Sequence, residues 1–363
     1  MLQFDFPVSD PLASCPKEWF PDPGQTVFFD IETTGLSWRS SHLYLLGAVF
    51  CREGSWYLRQ WFCQRPSDEA QVLEEFSSLT ENCSLLIHFN GNGFDVPYLM
   101  HRYTLYQKEH PFHTLRQMDL YHDLLPWKQI MGLPHMRQRN LEEYAGIHRE
   151  DPFSGKELIA CYQEYLKTGD ERLRDALLLH NREDVEGMLG LLPLLLIPRL
   201  FSGQIPLHPE VRFTAKEAAF DMRLPVALAA PLKLDTPFCS LQGKEDRISL
   251  TVPFFQGTLK LFYENYKDYF YLPLEDVAIH KSVGAYVDPD HRKPATAASC
   301  FQKVSGLFLP QTDALFTPSF RREYRSWPMY FQAKESDFQD PENVRLYVTS
   351  LLENFRRMLR PEQ

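Results

Sequence analysis

The sequence has no long apolar run and no closely paired cysteines. Its longest apolar stretch, Leu189 to Leu196, is interrupted by Pro193 and falls well short of the ~20 residues that a membrane-spanning helix needs. None of the seven cysteines stands in a CxxC pair, which argues against zinc ribbons and redox motifs. No basic and apolar leader opens the chain. We therefore predict a cytoplasmic protein with reduced, mostly buried thiols and no membrane association.

The chain also lacks an excess of positive charge. Its formal net charge is −10, with 18 Lys and Arg against 28 Asp and Glu in residues 1–204, and 20 against 20 in residues 205–363. An acidic domain repels nucleic acid at long range. Bound divalent cations or a local basic groove would offset this repulsion, so the charge does not exclude a nucleic-acid substrate.

The length of 363 residues favours two domains. Residues 1–24 are rich in proline and are predicted to form an irregular N-terminal arm. Residues 25–200 are predicted to form the first domain. A proline-containing segment near residues 198–206 separates it from residues 205–363, a smaller C-terminal α+β accessory domain of unknown role.

Periodicity in the first domain predicts a three-stranded meander followed by alternating strands and helices, which is typical of a mixed α/β sheet flanked by helices. The predicted strands are Val27 to Ile31, Leu43 to Cys51, Trp56 to Cys63, Leu85 to Phe89 and Leu115 to Leu120. The predicted helices are residues 67–79 with Ser67 as cap, Phe94 to Tyr106, Lys156 to Leu166, and a long one from about Glu171. In the second domain we predict strands at Val211 to Phe213, Ile248 to Val252, Leu259 to Tyr263 and Tyr269 to Leu272, with helices at Glu275 to Tyr286 and Glu342 to about Leu359.

Three short segments carry acids in contexts that suit metal binding. Asp30 and Glu32 alternate on a predicted strand, so both side chains point to one face, where they repel unless a cation lies between them. Asp95 follows a glycine-rich turn and opens a helix. His180 and Asp184 are four residues apart on a helix and share one face. Taken singly, each has a plainer explanation: a strand end with two solvated acids, a helix cap, and a surface hydrogen bond.

Together, the order and context of these segments resemble the DEDD superfamily of 3′–5′ exonucleases. The matching residues are Asp30 and Glu32, the turn from Asn90 to Asp95, and Asp184. His180 stands at the spacing that the family's Tyr type uses for its proton-abstracting residue. Asp119-Leu120-Tyr121, Arg149-Glu150-Asp151 and His180-Asn181 make the sequence similar to the YprB-like group, predicted bacterial exonucleases with an RNase H-like fold.

The resemblance implies an active site with two Mg²⁺ or Mn²⁺ ions and no organic cofactor. Hard cations prefer carboxylate oxygens, and two such ions ~3.5–4 Å apart can activate water and stabilise the leaving oxygen. The resemblance further implies that Asp30 bridges the metals, that Glu32 and Asp184 hold the water-activating ion, and that Asp95 holds the other ion. His180 would then orient or deprotonate the water.

The resemblance also implies substrate contacts. Thr33, Thr34 and Gly35 are expected to touch the terminal nucleotide. Asn90 is expected either to hydrogen-bond the strand end or to brace its turn, with bracing favoured. Arg137, Arg139 and Arg149 are candidates for phosphate contacts, although a solvated surface position is the favoured prediction for all three.

We therefore expect a 3′–5′ exonuclease that hydrolyses phosphodiester bonds of DNA or RNA, most naturally from a single-stranded 3′ end, to 5′-mononucleotides. A non-catalytic binding module with the same fold and a structure-specific endonuclease remain as alternatives. The sequence identifies no protein partner. The aromatic and lysine residues between Lys260 and Tyr271 fit either a stacking platform for single strands or core strands.

Overall fold

The computed structural model describes residues 1–153 and 155–358. It divides into two compact units, one comprising residues 1–198 and 225–230 and the other comprising residues 199–224 and 231–363. Within the described residues, every helix is too short or too polar to cross a bilayer. The seven cysteines are all free, and four of them are buried.

The first unit is built on a six-stranded mixed sheet. Its strands are β1 (Leu2–Val8), β2 (Thr26–Thr33), β3 (Leu43–Arg52), β4 (Ser55–Phe62), β5 (Leu85–His88) and β6 (Arg116–Asp119). The order across the sheet is β1-β4-β3-β2-β5-β6. The meander β2–β3–β4 is antiparallel, and β5 and β6 run parallel to β2. This sheet confirms the predicted RNase H-like mixed α/β fold.

Helices lie on both faces of this sheet. The helices of the first unit are α1 (Glu69–Thr80), α2 (Asp95–Leu105), α3 (Leu120–Leu124), α4 (Gln138–Tyr144), α5 (Gly155–Thr168) and α6 (Glu171–Leu191), and α7 (Leu196–Phe201) begins in the first unit and ends in the second. Phe29 of β2 belongs to a core that includes Phe76 of α1 and Leu99 of α2. Leu45 of β3 belongs to a separate core that includes Tyr162 of α5. Side chains of alternate strand residues therefore pack into two hydrophobic cores, one on each face of the sheet.

Two predictions for the first unit are wrong. The N-terminal arm is not wholly irregular, because Leu2–Val8 forms β1 and pairs along its full length with β4. Pro7 is compatible with this position because β1 is an edge strand, where a missing N–H donor is tolerated. Ser67 is not the cap of α1: it lies in a short 3₁₀ turn, Pro66–Asp68, that leads into the helix.

The second unit is rich in β-structure. Its strands are β7 (Glu210–Phe213), β8 (Glu217–Arg223), β9 (Leu232–Asp235), β10 (Ser240–Lys244), β11 (Arg247–Pro253), β12 (Phe255–Phe262), β13 (Tyr269–Leu272), β14 (Val277–His280), β15 (Lys293–Pro294), β16 (Phe301–Gln311) and β17 (Met329–Gln332). They form sheets ordered β7-β8-β11-β10-β9, β12-β16-β17 and β14-β13-β15. Its helices are α8 (Lys281–Gly284), α9 (Pro341–Glu353) and α10 (Phe355–Met358).

The helix predicted from Glu275 to Tyr286 is wrong. Asp276 takes a positive φ of 50°, and the segment turns back so that β14 pairs with β13 before the short helix α8 begins. The closing helix is confirmed as α9 and α10, and Leu359 lies outside the described residues. In the aromatic segment, Tyr263 stacks on Tyr269 with ring centroids 5.1 Å apart, and both rings are half-buried.

Candidate active site

Asp30 and Glu32 stand near the end of β2 and share one face of the sheet. The neighbouring residues Phe29 and Ile31 point to the other face and are buried in the core. Glu32 is opposite Leu45 in β3, and the register shifts between Glu32 and Thr33. The strand alternation predicted from the sequence therefore places both carboxylates on the side of the sheet that α6 covers.

The helix α6 carries His180 and Asp184 towards the same place. His180 Nε2 lies 3.2 Å from Asp184 Oδ2 and 3.4 Å from Glu32 Oε1. One ligand atom from each of Glu32, His180 and Asp184 lies within 4.8 Å of the other two. A strand and a helix that are about 150 residues apart in sequence thus bring two carboxylates and an imidazole nitrogen together.

Asp95 is the first residue of α2 and its side chain is almost buried. The residue at the helix cap is Phe94, which makes no side-chain capping bond, so Asp95 does not serve as the cap. Burial first, and then the charges of Asp119 and Asp184, raises the pKa of Asp95 to about 7. Asp95 therefore lies within electrostatic reach of the carboxylate on α6.

The four acids form a cluster of like charges in which Asp95 is buried and the other three are partly buried. Burial, followed by the charges of Asp184, Asp95 and Glu32, raises the pKa of Asp30 well above its ordinary value. Burial, followed by the charges of Asp184 and Asp95, raises the pKa of Glu32 to about 8. Clustered carboxylates of this kind are costly without a cation, and carboxylate oxygens are the ligands that hard divalent ions prefer. The donor set therefore fits bound divalent metal.

Asn181, to which the sequence analysis gave no role, holds Asp30 in place. Its amide Nδ2 donates to Asp30 Oδ2 at 3.0 Å, and its Oδ1 accepts from Gln60 Nε2 at 2.9 Å. Gly47 lies opposite Asp30 in β3, and a Cβ atom there would collide with Asn181 Oδ1. The absence of a side chain at Gly47 is what allows α6 to approach the sheet this closely.

Arg149 is engaged inside the protein and is not a solvated surface residue. Its side chain is only 9% exposed and its Nη1 donates to Asp184 Oδ1 at 2.5 Å. The same guanidinium pairs with the buried Glu142. The surface prediction for Arg149 is therefore wrong, and its guanidinium braces Asp184. Arg139 is half exposed and donates to the buried Asp151.

The glycine-rich turn before α2 is held by Asp119. The carboxylate of Asp119 accepts the backbone N–H groups of Asn90 and Asn92 at 2.8 and 3.2 Å. Asn90 takes a left-handed backbone conformation with φ of 60°, which Asn tolerates better than most residues. Bracing in this turn thus comes from the Asn90 main chain and Asp119. A contact between the Asn90 side chain and a substrate stays a prediction.

The segment after β2 forms a compact hydrogen-bonded turn. Thr33 Oγ1 and Ser41 Oγ both donate to the carbonyl oxygen of Gly35, at 3.0 and 2.8 Å. Thr34 Oγ1 accepts from the His42 N–H at 3.1 Å. These bonds fix the loop beside the acids. Contact of Thr33, Thr34 and Gly35 with a terminal nucleotide stays a prediction.

The first unit is similar to known proteins. The family model of the RNase H superfamily matches residues 27–195. Over 167 residues, 45% of this chain, the sequence is 29% identical to "Uncharacterized protein YprB" of Bacillus subtilis (strain 168). The match spans 40% of that protein's length.

Two solved structures were also found as neighbours. The family B DNA polymerase from Pyrobaculum calidifontis is 15% identical, with a TM-score of 0.40, and the match covers 69% of this chain and 35% of the polymerase. The zinc-bound complex of Escherichia coli exonuclease I with single-stranded DNA is 16% identical, with a TM-score of 0.30, and the match covers 55% of this chain and 54% of the exonuclease.

Proposed function

We propose that this chain is a metal-dependent nuclease whose active site is the acidic cluster described above, since the family model of the RNase H superfamily matches residues 27–195. The observation that carries the proposal is the meeting of Glu32, His180 and Asp184, with ligand atoms within 4.8 Å of one another. The raised pKa values of Asp30, Glu32 and Asp95 support it, because burial first, and then the charges of neighbouring acids, disfavour the ionised carboxylates, and a bound cation would favour them.

We assign Asp30, Glu32, Asp95 and Asp184 as the residues that hold two Mg²⁺ or Mn²⁺ ions. Bound there, these ions would generate a hydroxide nucleophile at neutral pH and neutralise the leaving oxygen. His180 faces Glu32 and Asp184 through Nε2, where it can accept a proton from the attacking water. Asn181 keeps Asp30 in position, and Arg149 leaves one oxygen of Asp184, Oδ2, facing the cluster.

The proposed reaction is 3′–5′ exonucleolytic hydrolysis of single-stranded DNA or RNA to 5′-mononucleotides. Direction, strand preference and product follow from the resemblance of Asp30, Glu32, Asp95 and Asp184 to the DEDD pattern. The acidic first half of the chain implies that bound cations are needed before a phosphate backbone can approach.

The test is cleavage of 5′-labelled single-stranded DNA and RNA oligomers with Mn²⁺ or Mg²⁺, compared with Asp30→Asn and Asp184→Asn. We expect a ladder that shortens from the 3′ end and is lost in both variants. Asp175→Asn is the matched control, because Asp175 lies on the same helix with its side chain 64% exposed. This variant should cleave like the unaltered protein.

Two other outcomes would redirect the assignment. Cleavage of circular single-stranded DNA would show an endonuclease, since a strict exonuclease has no end to start from. Absence of cleavage by every form, with oligonucleotide binding that survives Asp30→Asn, would overturn the nuclease proposal and favour a binding module.

A further inference from the structure

A buried carboxylate outside the predicted site, Asp151, meets the imidazole of His180. His180 Nδ1 and Asp151 Oδ2 are 2.6 Å apart, and the Asp151 side chain has no exposed surface. Arg139 donates to the same oxygen at 2.9 Å, and the Phe153 N–H donates to Oδ1 at 3.0 Å. Three donors thus surround this carboxylate, which satisfies its charged form in a place that water does not reach.

The contact decides which ring nitrogen carries the proton. An ionised carboxylate can only accept hydrogen bonds, so His180 Nδ1 must be the donor to Asp151. In the neutral ring, Nε2 then keeps its lone pair. Nε2 is the atom that faces Glu32 Oε1 and Asp184 Oδ2. The nitrogen able to take a proton is therefore aimed at the acidic cluster.

Asp151 is itself fastened to the helix that carries His180. The Glu150 and Asp151 N–H groups donate to the Glu183 carboxylate at 2.8 and 3.0 Å. Arg149, the preceding residue, donates to Asp184. Residues 149–151, which we term the clasp, therefore bind α6 at three positions, and two of those positions belong to the site.

We propose that Asp151 is a positioning residue that fixes the tautomer and orientation of His180. The clasp, which is bound to α6, holds Asp151 beside His180. This inference rests on the nuclease function proposed above. The charged groups around the ring are Asp151 on one side and Glu32 and Asp184 on the other, with Arg139 and Arg149 bound to Asp151 and Asp184. Asp151 does not touch the reacting atoms and acts through His180.

The decisive measurement is the ¹⁵N NMR spectrum of histidine-labelled, Mg²⁺-loaded protein at about pH 8.5, where an ordinary imidazole is neutral. His180→Gln identifies the His180 signals by their loss. We expect protonated Nδ1 and unprotonated Nε2 in the unaltered protein. In Asp151→Asn, the amide nitrogen can donate to Nδ1, so the proton should move to Nε2.

The kinetic counterpart is a loss of turnover without a loss of substrate binding. Asp151→Asn should lower kcat by about 100-fold or more, in the range of a lost general base, and leave KM within about 3-fold. Asp175→Asn is the matched control: it makes the same Asp-to-Asn change on α6 at a side chain that is 64% exposed and forms a surface ion pair. It should keep the tautomer and change kcat by less than about 3-fold.

Two results would overturn the inference. One is an unaltered protein in which His180 carries its proton on Nε2. This measurement needs no variant, so it would overturn the inference even if Asp151→Asn does not fold. The other is an Asp151→Asn protein with an unchanged tautomer and unchanged kcat. The expected tautomer in a protein that cleaves no oligonucleotide would instead preserve the role of Asp151 and remove the nuclease proposal.

Discussion

Replacing Glu32 by Gln should stabilise the metal-free protein, although the same change removes a proposed metal ligand. Burial and the charges of Asp184 and Asp95 raise the pKa of Glu32 to about 8, from an ordinary value of 4.5. Its side chain is only 15% exposed, so solvent screens this repulsion weakly. Gln keeps the size of Glu and can still accept from Tyr44, whose hydroxyl lies 3.4 Å from Glu32 Oε2.

The magnitude follows from the linkage between protonation and folding. The unfolded chain releases the Glu32 proton near pH 4.5 and the folded chain near pH 8, so stability falls as the pH rises through this window. A difference of about 3.5 pKa units corresponds to on the order of 4 kcal/mol at pH 8. Because the acids titrate as a coupled group, one substitution recovers part of this, and we expect a gain of about 1–3 kcal/mol.

The assay is urea or thermal unfolding of chelator-treated protein at pH 5 and at pH 8. The gain should be small at pH 5 and full at pH 8, where it raises Tm by several degrees. The sign should reverse with saturating Mn²⁺, since the unaltered protein then gains more from the ion than the variant does. Glu81→Gln, at an exposed position after α1, is the control and should show neither effect.

One result would refute this reasoning. If Glu32→Gln has the same stability relative to the unaltered protein at pH 5 and at pH 8, with metal removed, then Glu32 is not held among repelling charges. The cluster would then have no electrostatic need for a cation.

Three further predictions concern the supports of the site and the ions. Gly47→Ala should cost about 1–3 kcal/mol and reduce cleavage, because its Cβ would displace Asn181 from Asp30; unfolding and turnover measured together check it, and unchanged turnover would contradict it. Arg102→Gln should destabilise by about 3–5 kcal/mol, because it removes the cation that pairs with the fully buried Glu69; an unfolding midpoint equal to that of the unaltered protein would disprove this. Mn²⁺ at about 100 times its Kd should stabilise the protein by about 3 kcal/mol, seen as a rise in Tm that EDTA reverses and that Asp30→Asn removes.

Local periodicity predicted that Asp30 and Glu32 share one face and that His180 and Asp184 share another, but it did not predict the groups that hold these side chains. The alternation of Asp30 and Glu32 on a strand and the four-residue spacing of His180 and Asp184 are short-range patterns. The contact between Asp151 and His180 joins residues 29 positions apart, and Gln60 meets Asn181 across 121 positions. Sequence spacing alone does not predict contacts between residues so far apart in the chain. Arg149-Glu150-Asp151 stood out only as matching text, and the surface position expected for Arg149 was wrong.

The fold shows the same division between local and distant causes. β3 and β4 of the meander are long, rich in apolar residues and joined by a turn at Glu53 and Gly54, so the sequence alone predicted them. β1 contains a proline and becomes a strand only because the edge of β4 is available to it. β14 has four residues, and its pairing with β13 outweighs any helical preference of the surrounding segment.

The helix α6 gives the site a shared geometry. His180, Asn181 and Asp184 lie within about one turn and a half, and they reach Glu32, Asp30 and Arg149 respectively. A shift of this helix along the sheet would move His180, Asn181 and Asp184 together, so it would change the distances to Glu32 and to Asp30 at the same time. A substitution elsewhere on α6 that shifts the helix would therefore misalign these side chains together. Positions on α6 that are distant from the candidate site thus affect the geometry of the whole site.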